Sequence, residues 1–213
     1  MMHPYWPART PAEIDDKAKQ TLSRLEEVFG TDSIPEFFHH MAIVPSFVND
    51  YYMNFKKFCY TQGKLSLKDK ALIGLAVSHT AGVKSMTEFF ARRLRTLVEG
   101  SESAQSQFVA DALAVQATCA MYNVFFKFRD LSGSDLFSGM PVGLRAHTFA
   151  GTSLTDAEVE LINITVSDVN GCKPCTEGHV AKARQLGLAD EAILEAIQCA
   201  ATVYAGCQFA KAL

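Results

Sequence analysis

Two segments of the chain repeat one residue pattern 89 positions apart. Residues 70–78 read KALIGLAVS, residues 159–167 read VELINITVS, and Gly82 then falls on Gly171. A repeat at a fixed interval indicates two copies of one supersecondary unit that bury their apolar faces against each other. We therefore predict two related halves that share one core. Two helix pairs that look alike by chance are the alternative.

Apolar residues recur at intervals of three and four over most of the chain, and almost no stretch alternates as a half-buried strand does. The fold class is therefore predicted to be all-α. Thr10–Glu13 and Thr155–Glu158 have the pattern of capping boxes, each at the start of a helix. The predicted helices cover residues 10–29, 35–43, 45–60, 66–78, 84–98, 104–128, 155–170, 172–186 and the chain from about 190 onward.

Helical spacing also predicts which side chains are buried or form interfaces. In the last helix, the spacing assigns the following residues to the core: Ile193, Leu194, Ile197, Ala201, Tyr204 and Cys207. An aromatic group between residues 37 and 58 is large for one short region: Phe37, Phe38, Phe47, Tyr51, Tyr52, Phe55 and Phe58. Part of this group is predicted to form a subunit interface.

The sequence changes character between residues 132 and 151, where four glycines and Pro141 fall within twenty residues. We predict residues 1–131 as an N-terminal helical half with a degenerate repeat and residues 132–151 as a linker. Residues 152–213 are then the C-terminal repeat, which contains a pair of cysteines and a histidine.

Composition limits the classes of function. With a net charge of −3 and 48% hydrophobic residues, the chain is not a disordered one, and it offers no electrostatic reason to bind nucleic acid or an anionic membrane. Six cysteines in 213 residues are too few for a disulfide-stapled scaffold, and the start of the sequence lacks the pattern of a secretory leader. We therefore predict a cytoplasmic protein that does not enter a membrane. In that compartment a close cysteine pair is typical of catalytic or metal sites.

The strongest local motif is Cys172-Lys173-Pro174-Cys175, followed by His179. Asn170-Gly171 ends one helix and Pro174 lies in the first turn of the next, so both sulfurs are predicted at a helix N-terminus, which stabilises a thiolate. Cys175 and His179 are four residues apart on one helix face, where the imidazole can exchange the thiol proton. Cys175 is therefore the candidate nucleophile. Cys172 is within reach to form a disulfide once Cys175 is oxidised to a sulfenic acid.

A histidine that moves protons needs a partner that fixes its tautomer, and a carboxylate is the usual choice. Glu160 is the candidate, because it lies near the apolar stripe of the preceding antiparallel helix; a surface glutamate is the alternative. The first copy of the repeat has Val83, Met86 and Phe90 at the positions of Cys172, Cys175 and His179. The chemistry is therefore predicted in the second half only.

Residues 153–187 resemble the core motif of the AhpD-like and carboxymuconolactone-decarboxylase-like proteins, through SLTDAEVELI, VSDVNGCKPCTEGH and ARQLG. The resemblance is weaker over residues 66–98 and absent over about the first thirty. It implies an AhpD-like helical fold and a thiol-dependent hydroperoxide reductase. Cys175 would be the peroxidatic cysteine, and Cys172 the proton donor and resolving partner. Glu160, at the family's glutamate position twelve residues before the first cysteine, would form the proton relay with His179.

The resemblance also implies partners. The substrate would be an organic hydroperoxide, and electrons would come from an external dithiol such as a lipoyl group on a dehydrogenase subunit. No tightly bound cofactor or metal is predicted. Family members of this kind form homo-oligomers, as trimers or hexamers. The chain departs from the best-known members at Pro174, where they carry a histidine.

Other functions compete with this hypothesis. A zinc site would use Cys172, Cys175 and His179, but a second close pair of ligands is not evident in the sequence. A thioredoxin-like motif needs a strand before it, whereas residues 161–169 have a helical pattern. A decarboxylase of the same superfamily would not need the cysteine pair. A redox sensor would form the same disulfide without turning over peroxide.

Overall fold

The computed structural model describes residues 14–29 and 34–212, and within these ranges the chain contains nine α-helices and no β-strand. The helices are α1 (Asp16–Phe29), α2 (Glu36–Met41), α3 (Pro45–Phe55), α4 (Leu67–Thr80), α5 (Lys84–Leu97), α6 (Glu102–Leu131), α7 (Asp156–Val169), α8 (Lys173–Gln185) and α9 (Asp190–Ala210). A π-helical turn (Lys56–Tyr60) extends α3, and two short 3₁₀ turns (Asp135–Phe137 and His147–Phe149) lie between α6 and α7. The all-α prediction is confirmed. The predicted capping box at Thr10–Glu13 lies outside the described residues.

The centre of the fold is the pair α4 and α7, which contain the two repeated segments. Every residue from Lys70 to Ser78 and from Glu158 to Ser167 is buried. Helices that are buried all round lie inside a core rather than on its surface. α4 packs against α5, α6, α7 and α9, and α7 packs against α6, α8 and α9. One continuous apolar cluster therefore contains residues from both halves.

In each half, the chain leaves the central helix (α4 or α7) through the same type of turn. After α7, the backbone amides of Gly171 and Cys172 donate to carbonyl groups in the last turn of the helix, both at 2.9 Å. After α4, the amides of Gly82 and Val83 do the same at 3.0 and 3.2 Å. This is a Schellman turn, and it requires the left-handed φ of 64° and 74° that the two glycines adopt. The sequence repeat is thus also a repeat of local geometry.

The aromatic group between residues 37 and 58 belongs mostly to the core. Phe37, Phe38, Tyr51, Tyr52 and Phe55 are each at most 4% exposed. The rings of Phe37, Phe38, Tyr51 and Phe55 contact one another. These five residues are therefore core residues, and the predicted subunit interface stays a prediction for the partly exposed Phe47 and Phe58. The five core residues are covered by α9, which comes so close that a Cβ atom on its Gly206 would lie 2.2 Å from the Tyr51 hydroxyl.

The buried face of α9 also differs from the predicted one. Leu194 is 58% exposed, Tyr204 is 37% exposed and Ala201 is also exposed, so their assignment to the core is wrong. The buried residues of this helix are mainly small: Ala192, Ile193, Ala196, Cys199, Ala200, Thr202, Val203, Gly206, Cys207 and Ala210. Small side chains allow α9 to lie close against α3 and α4. The buried face of α9 is therefore the one that carries the small side chains, and not the one that carries Leu194 and Tyr204.

Residues 132–155, here called the connector, join α6 to α7 and are fixed to α6 by polar contacts. The Tyr122 hydroxyl donates to the carbonyl oxygen of Leu144 at 2.8 Å. Asp111 accepts from the amide and the hydroxyl of Ser153, at 2.8 and 2.6 Å. The predicted linker thus lies against α6 over much of its length.

α6 is the longest described helix, and its length and hydropathy alone would also allow it to cross a membrane. Its contacts are those of a helix packed in a protein, against α4, α5, α7 and α8. Two of its buried side chains are polar. Gln116 hydrogen bonds to His79 and Thr80 of α4, and Asn123 donates to Ser167 of α7 at 2.9 Å.

A buried ion pair fixes α9 to the start of α4. The Lys70 ammonium is completely buried, lies 2.7 Å from the Glu195 carboxylate and donates to the Thr61 carbonyl at 2.6 Å. The second carboxylate oxygen of Glu195 accepts from the amides of Lys64 and Leu65, at 2.6 and 3.0 Å. This arrangement satisfies both charges, which is the condition under which a buried pair is tolerated.

We predict that Lys70→Met lowers the free energy of unfolding by about 3 kcal/mol, because it leaves the Glu195 carboxylate without its cation. Lys84→Met is the matched control, since its ammonium is exposed and lies 3.8 Å from Glu88; a change below about 1 kcal/mol is expected. Urea unfolding followed by circular dichroism measures both. Equal losses in the two variants would contradict a stabilising role for the buried pair.

Candidate active site

The two cysteines of the motif lie at the junction of α7 and α8. Cys172 completes the Schellman turn of α7 and is also the N-cap of α8, while Cys175 is the third residue of α8. The two sulfurs form a disulfide, with Cα atoms 5.3 Å apart. The structure therefore holds this pair in its oxidised form. The remaining four cysteines, Cys59, Cys119, Cys199 and Cys207, are free and buried.

The helix N-terminus gives the sulfurs a favourable place for negative charge. The Cys172 carbonyl already accepts the first bond of α8, from the amide of Thr176 at 2.9 Å. The amides of Lys173 and Cys175, which precede Thr176 in the chain, lie at the positive end of the helix dipole, where anions are stabilised. Pro174 has no amide hydrogen to donate. Because this proline lies in the first turn of α8, the two cysteines on either side of it lie at the start of the helix.

Glu160 of α7 lies opposite α8, and its carboxylate is 1% exposed. One carboxylate oxygen is 2.8 Å from Nδ1 of His179, and the other is 3.0 Å from Nζ of Lys182. Burial alone raises the pKa of Glu160, but the hydrogen bonds and charges of His179 and Lys182 outweigh it and hold the pKa below the ordinary value for glutamate. The carboxylate is therefore ionised at neutral pH.

The contact with Glu160 decides how the imidazole of His179 is used. An ionised carboxylate only accepts hydrogen bonds, so Nδ1 of His179 carries the proton and donates it to Glu160. In the neutral ring, Nε2 is then the basic atom. A carboxylate in this position fixes both the tautomer and the orientation of the ring, which prepares Nε2 to take or return a proton.

Cys175 and His179 line the same cavity, which has a volume of about 270 Å³. The other lining residues are Tyr122, Phe126, Phe149, Pro174 and Gly178. Cys172 does not line this cavity; it borders a separate cleft together with Lys173, Thr176 and Glu177. Of the two sulfurs, only that of Cys175 therefore shares a space with the candidate base.

A row of buried polar groups lies between α6 and α7. The Cys119 thiol contacts the Ser167 hydroxyl at 3.5 Å, and Ser167 accepts from the Asn123 amide. Burial raises the pKa of Cys119 to about 11 although its hydrogen bonds with Ser167 and Asn123 act in the opposite direction, so this cysteine stays a thiol. Asn163 lies one turn after Glu160, and its amide has no hydrogen-bond partner among the described residues.

The equivalent place in the first half is filled with apolar side chains. Met86 and Phe90 are completely buried, and the sulfur of Met86 lies 3.6 Å from that of Cys207. The ring of Phe90 lies so close to Gly74 that a Cβ atom there would be 2.3 Å from it. In the second half, Asn163 and His179 stand at the positions of Gly74 and Phe90. The first half thus contains neither the side chains nor the space for the same chemistry.

The structure brings all four predicted site residues together, namely Glu160, Cys172, Cys175 and His179. The sequence reasoning missed Lys182, although its position three residues after His179 puts it on the same helix face. It also missed the aromatic walls of the cavity, for which the sequence contains no local signal. Among the described residues, no three histidine, cysteine, aspartate or glutamate side chains are grouped as metal ligands.

Comparisons with known proteins show which family the chain resembles. A family model described as the carboxymuconolactone decarboxylase family matches residues 137–213. The alkyl hydroperoxide reductase AhpD of Anaeromyxobacter sp. (strain Fw109-5) is 30% identical over 132 residues, which cover 62% of this chain and 69% of that protein. The AhpD of Acidobacterium capsulatum is 24% identical over 78% of this chain and 87% of its own length.

A solved structure has a similar fold. It is the alkylhydroperoxidase AhpD core of an uncharacterized peroxidase-related protein from Ralstonia eutropha JMP134, with a TM-score of 0.65 over 97% of this chain and 87% of that one. At 11% identity this likeness concerns the fold alone. It confirms the expected AhpD-like helical architecture. The chain belongs to the AhpD-like family, among the carboxymuconolactone-decarboxylase-like proteins.

We predict that Glu160→Gln is less stable than the wild type at neutral pH and that this difference shrinks as the pH falls. The folded-state pKa of Glu160 lies below its unfolded value of about 4.3. The ionised carboxylate therefore stabilises the fold above that pH, and the contribution is lost as the pH falls through the folded-state pKa. Denaturant unfolding at a series of pH values measures the difference.

The control for this measurement is Glu177→Gln, which changes an exposed carboxylate on α8. It should alter stability by less than about 0.5 kcal/mol at neutral pH. If the difference between Glu160→Gln and the wild type stayed constant down to acid pH, the ionised carboxylate would not be the stabilising form.

Proposed function

We propose that the protein is a thiol-dependent hydroperoxide reductase. The observation that carries the proposal is that Cys175 and His179 line one cavity while His179 is hydrogen bonded to the buried Glu160. The arrangement supplies a nucleophile, a base and a group that orients the base, which are the parts that thiol chemistry needs.

The first step is attack of the Cys175 thiolate on the distal oxygen of the hydroperoxide. Nε2 of His179 takes the thiol proton, and the charge that develops on the imidazole is balanced by Glu160. The O–O bond breaks, an S–O bond forms, and the leaving alkoxide takes up a proton to give an alcohol. Cys175 is then a sulfenic acid, and the hydroperoxide has been reduced by two electrons.

In the second step the sulfur of Cys172 attacks that of Cys175, and the sulfenic oxygen leaves as water. The proposed product of this step is a Cys172–Cys175 disulfide, and a disulfide between these two residues is present in the structure. An external dithiol then reduces it by thiol–disulfide exchange and is itself oxidised to a disulfide. A lipoyl group is the proposed donor, because the resemblance of residues 153–187 to the AhpD-like proteins implies it. No tightly bound cofactor takes part.

Two other functions would place different demands on the two cysteines. A redox sensor would form the disulfide once and would need no dithiol to sustain turnover. A decarboxylase-type member would need neither sulfur. The shared cavity of Cys175 and His179 favours the reductase, since a decarboxylase would not require a thiol beside a carboxylate-bound histidine.

We predict that Cys175→Ser abolishes consumption of cumene hydroperoxide in the presence of dihydrolipoamide, because the hydroxyl is not ionised at neutral pH. Cys172→Ser should still form a sulfenic acid, which dimedone traps on Cys175, but it should lose sustained turnover. Cys119→Ser, which changes a cysteine outside the proposed mechanism, is the control. Wild-type turnover by Cys175→Ser would overturn the assignment of the nucleophile.

The electron donor is tested by comparing three reductants at equal thiol concentration: dihydrolipoamide, reduced thioredoxin and glutathione. We expect sustained peroxide consumption with dihydrolipoamide and slower rates with the other two. A single turnover followed by arrest with every donor would instead identify a sensor. Equal rates with all three would contradict a specific dithiol partner.

A further inference from the structure

The two reactive sulfurs lie where the negative end of one helix dipole meets the positive end of another. The last turn of α7 presents carbonyl groups, three of which accept from the amides of Asn170, Gly171 and Cys172 at 3.0, 2.9 and 2.9 Å. α8 begins one residue later, at Lys173. A helix C-terminus carries about −0.5 elementary charge, so α7 opposes a thiolate at the place where α8 favours one.

α6 supplies a cation at this junction. Nζ of Lys127 donates to the carbonyl oxygen of Asn170 at 3.0 Å, and the lysine side chain is half-buried. Asn170 is the C-cap of α7 and lies two residues before Cys172. A lysine that hydrogen bonds to a terminal carbonyl offsets the negative end of the helix dipole. The Lys127 ammonium therefore adds positive charge at the turn that contains the first reactive cysteine.

A row of contacts between α6 and the end of α7 fixes this arrangement. Asn123 lies one turn before Lys127 on α6, donates to a hydroxyl of α7 at 2.9 Å and accepts from the side-chain amide of Asn170 at 3.0 Å. Asn170 is thus held through its backbone by Lys127 and through its side chain by Asn123. At the end of α4, Ala81 stands at the position of Asn170, and α6 contributes the uncharged amide of Gln116. The cation is therefore found in the half that contains the reactive cysteines.

The side chains on the solvent side of the turn do not supply this charge. The cleft beside Cys172 is lined by two carboxylates, of Asp168 and Glu177, and by one ammonium, of Lys173. The Lys173 side chain is 77% exposed and lies 4.0 Å from Glu177. Water and salt screen an exposed pair of this kind, whereas a half-buried charge is screened less. Lys127 is therefore the ammonium that can offset the end of α7.

We propose that Lys127 is a positioning residue that raises the reduction potential of the Cys172–Cys175 disulfide by stabilising the thiolate of the reduced form. It acts through the carbonyl group of Asn170. Reduction breaks the S–S bond with two electrons from a dithiol, which itself becomes a disulfide. One protein sulfur then carries a proton, the other is a thiolate, and the second proton is released to water. A cation near the thiolate favours these products, so the disulfide becomes easier to reduce. The inference rests on the proposed function, in which a dithiol reduces this disulfide in every cycle.

The potential is measured by equilibrating each variant with mixtures of reduced and oxidised dithiothreitol at neutral pH, followed by alkylation and mass spectrometry of the peptide that contains both cysteines. In Lys127→Met the equilibrium constant for reduction should fall about threefold, which is the effect expected of one charge at a helix end. This fall corresponds to a potential that is about 14 mV more negative. Lys127→Arg keeps the charge and should have the wild-type value. Lys84→Met removes an exposed ammonium in the first half and should leave the value unchanged.

Two further measurements separate the charge of Lys127 from its packing. Asn123→Ala removes an uncharged contact with the same turn, so it should lower the melting temperature and leave the equilibrium constant close to that of the wild type. Because salt screens charges, the difference between Lys127→Met and the wild type should shrink at about 1 M potassium chloride. Equal falls in Asn123→Ala and Lys127→Met, or a difference that does not respond to salt, would overturn the inference. Thermal melts establish that the variants are folded.

The pH dependence of thiol alkylation provides a readout that needs no hydroperoxide. The reduced protein is treated with iodoacetamide over a range of pH, and tandem mass spectrometry distinguishes Cys175 from Cys172. Since the thiolate is the reactive form, the profile of Cys175 in Lys127→Met should lie at higher pH than in the wild type. If the potential and the profile shift in this way in a protein that reduces no hydroperoxide, the reductase proposal fails and the role of Lys127 stands. A protein that reduces hydroperoxides but has the same potential and profile in Lys127→Met as in the wild type would refute that role.

Discussion

The turn at Gly171 is the constraint on which the site depends. Only residues 170–172 separate α7 from α8, so the two helices must run antiparallel in contact. Glu160 lies eleven residues before Gly171 and His179 lies eight residues after it, which corresponds to about 16 Å and about 12 Å along the two helix axes. The carboxylate and the imidazole therefore meet at nearly the same height. The same turn makes Cys172 the end of one helix and the beginning of the next, which brings both sulfurs to a helix N-terminus.

The carboxylates of Glu195 and Glu160 have different contacts, and these contacts decide the role of each. Glu195 is bound by Lys70 and by two backbone amides, so all its hydrogen bonds serve to fix α9 at the start of α4. Glu160 is bound by two side chains of α8, one of which is a histidine that lines a cavity. The Glu195 carboxylate therefore fixes the backbone at the start of α4, and the Glu160 carboxylate orients the imidazole of His179.

The sequence was sufficient for the features that depend on local pattern. Helical spacing located the helices, and the motif around Cys172 and Cys175 follows from cap and turn signals within one short segment. Contacts between segments that are distant in the sequence could not be predicted from local patterns. Lys182 looks like a solvated lysine until its distance to Glu160 is known, and Phe149 reaches the cavity only because the connector folds back on α6. The burial of Tyr51 depends on how closely α9 approaches at Gly206, which no local pattern encodes.

The repeat also explains why one half is inert. Two identical halves would each have to bury a carboxylate, an amide and an imidazole, and every such group loses hydration that only specific partners restore. In the first half, Ala71, Gly74 and Phe90 stand where the second half has Glu160, Asn163 and His179. The Phe90 ring lies directly over Gly74 and occupies the volume that a polar site would need. Apolar packing in the first half thus stabilises the shared core. This allows the second half to keep buried polar groups next to its reactive sulfurs, including the amide of Asn163, which has no hydrogen-bond partner in the part of the chain that the structure describes.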